Sequence, residues 1–243
     1  MLINVFSSHR TGSTWWAHYI KNQYSNGKLY NEIFNQVRYL REAEVGSGKF
    51  VQEEDYTDSC FWRAPDDSCT EIVYNYRELV AKDSSRFNKW LQFFKQSTDT
   101  VVCHTHLSPL QDNKYLTELS KIGDKNYYVY RENVLEQLAS FVILEHTGEF
   151  GVTTKDKANI STKFTYPIID IKSIEWKSWE IIHSEEIVNK LIVNFEKIKY
   201  ESMPFNETID GMPLKQNVSA FNRLCLIDQE LIKQIYSRAQ NVK

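Results

Sequence analysis

The chain has 243 residues, a formal net charge of −3, and 25% charged and 42% hydrophobic residues. That is enough for one α/β domain with a sizeable core, and the acidic balance argues against nucleic acid as a main partner, since such proteins carry a basic face. No window approaches the ~20 consecutive apolar residues of a membrane span, and Met1 leads almost at once into an apolar strand with no basic leader, so a cytoplasmic protein is expected.

In chain order, residues 2–8 read as a strand and 14–24 as a helix that Ser25-Asn26-Gly27 stops. Residues 28–78 read as irregular, with turns at Gly46-Ser47-Gly48 and Ala64-Pro65-Asp66-Asp67. Phe87, Trp90, Leu91, Phe93 and Phe94 predict a helix over 84–96, and Thr100 to Cys103 a β-branched strand. Residues 126–130 predict another strand. Val134, Leu135, Leu138, Val142 and Ile143 then predict a helix over 132–146, with Gly148 as its C-cap. After a polar loop at 152–166 come a long helix over about 171–190, a late strand from Lys197 to Tyr200 and a closing helix over 228–240. Strands alternating with helices predict a three-layer α/β/α fold with a mostly parallel central sheet. Cys60, Cys69, Cys103 and Cys225 follow no metal-ligand spacing.

The most informative stretch runs from Val5 to Trp16. An apolar strand feeds the polar turn Ser7-Ser8-His9-Arg10-Thr11-Gly12, and a helix starts at Ser13-Thr14-Trp15. A helix N-terminus after a tight turn presents outward N–H groups and the positive end of the helix dipole, which suits an anion. Thr11, Ser13 and Thr14 offer hydroxyls, and Arg10 offers a forked cation. An ATP- or GTP-type loop would need a Gly-Lys pair followed by Ser or Thr, and Gly12 stands here without that lysine. A second stretch, Tyr128 to Ser140, reads as a strand ending at Arg131 and a helix carrying Ser140; a guanidinium and a hydroxyl there would suit a phosphate. A third, Val101-Val102-Cys103-His104-Thr105-His106-Leu107, ends a strand in two histidines on one face.

The order Arg10-Thr11-Gly12-Ser13-Thr14-Trp15 resembles the 5′-phosphosulfate loop of the sulfotransferase superfamily, whose donor is 3′-phosphoadenosine 5′-phosphosulfate (PAPS). The Arg131 and Ser140 segment resembles that family's 3′-phosphate site, with a spacing of nine where many cytosolic members have eight. The His104 to Leu107 segment resembles the family's Lys-x-His-Leu-Pro, with His104 in place of the lysine and His106 at the catalytic base. The resemblance implies a P-loop-like nucleotide-binding fold and a single domain over 1–243, with 28–98 as an acceptor-side insertion. It implies transfer of a sulfonate from PAPS to a hydroxyl or amine of a small-molecule or glycan acceptor, with PAP (3′,5′-bisphosphoadenosine) as product and no metal. Arg10, Thr11, Gly12, Ser13, Thr14, Trp15, Arg131, Ser140 and Lys215 are then the donor-binding candidates. Glu32 and His106 are the rival bases, with His104 and Arg10 as further catalytic candidates. Lys199-Tyr200-Glu201-Ser202 resembles a segment that is mostly structural in the family. The alternatives are a nucleotide-dependent phosphotransferase of the P-loop class and a non-catalytic nucleotide-binding relative.

Overall fold

The computed structural model describes residues 1–31, 84–107, 113–147, 163–204 and 219–241. Its elements run β1 (Leu2–Ser7), α1 (Ser13–Asn22), β2 (Gly27–Asn31), α2 (Ser84–Gln96), β3 (Thr100–His106), α3 (Asn113–Ile122) and β4 (Lys125–Tyr130). They continue with α4 (Val134–Thr147), α5 (Ile171–Leu191), β5 (Phe195–Lys199), a 3₁₀ turn (Tyr200–Ser202), α6 (Ala220–Arg223) and α7 (Leu226–Asn241).

The five strands form one all-parallel sheet in the order β2-β3-β1-β4-β5. Every residue of β1 and of β3 is buried. That is what helices on both faces require, and it explains why Leu2 to Phe6 reads as a run rather than an alternation. One face packs Ile3, Val5, Val102 and Val129 against Trp15, Ala17 and Ile20 of α1. The other packs Phe6, Val101 and Tyr128 against α2, α3 and the end of α5. A separate cluster joins α4, α5, α6 and α7 around Leu138, Ile174 and Ile232. The fold is therefore three-layered α/β/α, as the alternating elements predict.

Two elements were illegible in the sequence. Gly27–Asn31 is not irregular but the edge strand β2, paired with β3 from Gly27↔Thr100 to Asn31↔His104. The helix α3 carries Leu116 and Leu119 into the core between β3 and β4. Of the stretch 28–98 expected as an insertion, the described ends belong to the sheet and its helical layer, and residues 32–83 lie outside the described residues. The strand expected over 100–103 runs on to His106, and the late strand begins at Phe195. Gly148 lies outside the described residues.

The chain leaves β1 across the α1 face and leaves β3 and β4 across the opposite one. The carboxyl ends of these neighbouring strands therefore diverge, and ligands of open α/β sheets bind in such a crevice. In register, Ser7 stands beside His106 on one side and Val129 on the other. The loop after β1 therefore lies between the two histidines and the Arg131 segment.

Candidate functional site

The loop after β1 has two residues in the left-handed region, Arg10 at φ 64° and Gly12 at φ 76°. Gly12 is the N-cap of α1, and its carbonyl accepts the Trp16 N–H at 3.1 Å. A Cβ on Gly12 would lie 2.4 Å from the Tyr200 ring, so glycine is needed for both space and conformation. The left-handed Arg10 is strained for a side-chain-bearing residue, and such strain persists only where surrounding contacts hold it. Here Nε and Nη2 of Arg10 both donate to the Ser140 hydroxyl of α4, at 3.1 and 3.0 Å. Gln137, one turn earlier on α4, donates to Ser8 Oγ at 2.9 Å and to the His9 carbonyl at 2.6 Å. Helix α4 thus grips the loop at three points.

Arg131 follows β4 directly. Its guanidinium lies over the Tyr200 ring, 4.4 Å from the centroid, and Glu136 is 3.9 Å away. Its Nε is buried and has no hydrogen-bond partner among the described residues. A buried guanidinium nitrogen without an acceptor is costly unless a ligand completes it. Burial, and then the charge of Arg131, hold Arg10 below the usual arginine range. Two like charges gathered in a partly desolvated place favour an anion between them.

Tyr200 joins the two loops, since one ring fills the space where a Gly12 side chain would stand and supports Arg131. The next residue, Glu201, accepts the Asn133 N–H at 3.1 Å and the Glu132 N–H at 3.3 Å. Burial would raise Glu201, but the backbone N–H groups and Arg131 outweigh it and hold its carboxyl below the usual range. The Tyr200-Glu201 segment, expected as mostly structural, therefore fixes the turn that carries Arg131.

The other loop hydroxyls are engaged inside the loop. Thr11 Oγ1 donates to the Ser8 carbonyl at 3.1 Å, and Ser13 Oγ accepts from Ser7 Oγ at 2.7 Å. Both residues are buried, and these bonds help to shape the loop. Thr14 is half-buried at the start of α1, and Trp15 is buried in the α1 core. Of the donor candidates, the structure brings Arg10, Arg131 and Ser140 together around Gly12. Lys215 and the rival base Glu32 lie outside the described residues.

Both histidines of β3 meet Ser7 Oγ, His104 Nε2 at 3.3 Å and His106 Nδ1 at 3.0 Å. His104 has no exposed surface, whereas His106 is 8% exposed and stacks on His9, with ring centroids 4.2 Å apart. Beside this stack lies a group that no sequence motif marks. Glu180 Oε1 is 2.8 Å from His9 Nδ1, and Lys177 Nζ is 2.9 Å from Glu180 Oε2. Lys177 and Glu180 are both buried on α5. One signal was available: Ile174, Lys177, Ile181, Ser184 and Val188 form the helical stripe toward the core, with a lysine where an apolar residue is expected. A cavity of about 380 Å³ opens next to these groups, lined by Ser8, Tyr128, Tyr130, Arg131 and Gln137 among others.

Fold and site together define an α/β protein with a twofold cationic cleft at the carboxyl edge of a parallel sheet. The chain matches no protein-family model, and no curated protein matches its sequence. No helix among the described residues is long and apolar enough to cross a membrane.

Proposed function

We propose that this protein is a PAPS-dependent sulfotransferase acting on a hydroxyl or amine of a small-molecule or glycan acceptor. The observation that carries the reading is the buried Arg131 Nε, which has no hydrogen-bond partner among the described residues, beside the Arg10–Ser140 pair and set against a Gly12 loop that opens helix α1. A nucleotide with a second phosphate is the anion whose chemistry meets that arrangement: planar guanidinium forks bind phosphate oxygens in pairs, and a hydroxyl adds one more bond. These residues fit the donor.

PAPS supplies an activated sulfonate on a phosphate leaving group. Arg131 and Ser140 would hold the 3′-phosphate, and Arg10, drawn to Ser140, would join that clamp. The N–H groups of the Gly12 loop and the start of α1 would face the 5′ side, where negative charge grows as the leaving group departs. The acceptor would enter by the cavity beside Ser8 and Arg131, whose volume is of small-molecule size. His106 at the end of β3 and Glu32 are the proton acceptors implied by the resemblance.

The test is the melting temperature of the purified protein with PAP, AMP, or ATP with Mg²⁺. A ligand that binds only the native state raises it by mass action. PAP raises it, AMP does so less, and Arg131→Ala removes the PAP shift. A shift with ATP and Mg²⁺ but none with PAP sinks the reading in favour of a phosphotransferase. A PAP shift without sulfonate transfer to any acceptor marks a non-catalytic nucleotide-binding protein.

A further inference from the structure

We propose that His9 is the proton-accepting residue of the transfer, held in the working orientation by Glu180 and Lys177; this rests on the sulfotransferase reading above.

The geometry fixes the proton on His9. A ring nitrogen 2.8 Å from a carboxylate oxygen needs a proton between them, because two lone pairs at that distance repel. Nδ1 therefore carries the hydrogen and donates to Glu180. Lys177 Nζ, 3.1 Å from the same Nδ1, cannot then donate to it. Its role is to balance Glu180 from the other side, at 2.9 Å, with its ammonium also 4.5 Å from the centre of the Phe141 ring. That leaves the lone pair on Nε2, which makes no hydrogen bond among the described residues, and 29% of the His9 side chain is exposed. A carboxylate behind a histidine with its far nitrogen open is the arrangement that orients a general base and stabilises the imidazolium it becomes.

Three titratable or charged groups face His9: Glu180 and Lys177 from α5, and His106 from β3. Stacked at 4.2 Å, His9 and His106 cannot both take a proton readily, so the pair accepts one. Of the two, His9 has the carboxylate at its back and the greater exposure. The Gln137 amide donates to the His9 carbonyl at 2.6 Å, which ties the His9 backbone to the same helix that carries Ser140.

The test uses water as the acceptor and ³⁵S-labelled PAPS, read as inorganic sulfate. The water oxygen bonds to sulfur, and the sulfur–oxygen bond to the phosphate breaks with its electron pair leaving on PAP. The water proton passes to His9 Nε2. His9→Asn is expected to lower release by on the order of 10²-fold or more while keeping the PAP melting shift. Glu180→Gln is expected to lower kcat more than KM. Independently of donor, ¹⁵N-imidazole NMR of the free protein should find His9 protonated on Nδ1 and bare on Nε2 through neutral pH.

An Nε2-protonated His9 overturns the proposal, as does His9→Asn with unchanged release and pH profile. A wild type that binds PAP yet releases no sulfate at any pH overturns it too. No PAP shift in the wild type counts against the donor reading, and His9 is then judged by the NMR result.

Discussion

Arg10 and Ser140 are 130 positions apart in the chain, yet two nitrogens of one guanidinium converge on one hydroxyl. The pairing draws Arg10 out of its own loop and toward the segment of Arg131. It explains why a residue bearing a side chain sits at φ 64°: the left-handed turn aims the guanidinium across the crevice. Hydrogen bonds to charged groups contribute about 1.5–3 kcal/mol. Ser140→Ala should therefore weaken PAP binding by about tenfold or more, and Arg10→Ala by more still, when measured by calorimetry. Ser140→Ala with undiminished affinity would remove Ser140 from the anion site and leave it as a prop for Arg10.

Gly12 and Tyr200 make a second prediction. A methyl at Gly12 must adopt φ 76° and also displace ring atoms at 2.4 and 2.6 Å. Left-handed backbone and overpacking each contribute about 1–2 kcal/mol, so Gly12→Ala should lower unfolding stability in urea by about 2–4 kcal/mol. Adding Tyr200→Ala should recover the steric part, visible as coupling in a double-mutant cycle. Strictly additive losses would show that the ring does not limit this position.

His104 stands where the resembling family has a lysine, and here it is wholly buried against Ser7. A charged amine at that depth has no solvent, and unpaired buried charge is strongly disfavoured. His104→Lys should destabilise the protein by several kcal/mol, on the order expected for taking a charge out of water. His104→Gln should lower stability by only about 1 kcal/mol and keep PAP binding. If His104→Lys melts like the wild type, His104 is not the structural residue that its burial implies.

The fold was legible where hydrophobic periodicity was strong. Leu2 to Phe6, the helix carrying Val134 to Ile143, and the apolar face of α2 all read directly. The strand β2 was not legible, because Gly27-Lys28-Leu29-Tyr30-Asn31 is short and polar, as an edge strand is. The loop and Arg131 could be found because glycine, hydroxyl and guanidinium residues cluster there at the ends of apolar strands. The pairing of Arg10 with Ser140 could not, since it depends on how far α4 leans over the loop. Nor could the link from His9 to Glu180, which joins a loop to a helix 171 residues later without a spacing rule. Lys177 within an otherwise inward stripe was its one local trace.

The His9–Glu180–Lys177 group also sets how the protein responds to acid. Burial is the main cause that lowers His9, followed by the charge of His106, and with Lys177 they outweigh Glu180 and bring it to about 4 from 6.5. Between those values the unfolded chain binds a proton that the native protein does not, so stability falls as pH drops from 6.5 toward 4. At 1.36 kcal/mol per unit, and with His9 partly exposed, this amounts to about 2–3 kcal/mol. Burial would raise Glu180, but its hydrogen bond to His9, the His9 charge and Lys177 outweigh that and hold it at about 2, against 4.5. Its contribution is present above 4.5 and is lost as pH falls from there toward 2. The two windows adjoin, so the melting temperature should decline continuously from pH 6.5 downward rather than begin near 4.5. His9→Asn should flatten the upper limb and also shrink the lower one, because the His9 hydrogen bond and charge are the leading causes that hold Glu180 down, leaving Lys177 alone to do so. A wild-type melting temperature that stays level between pH 6.5 and 4.5 would mean that His9 titrates normally and that burial and the His106 charge do not outweigh Glu180.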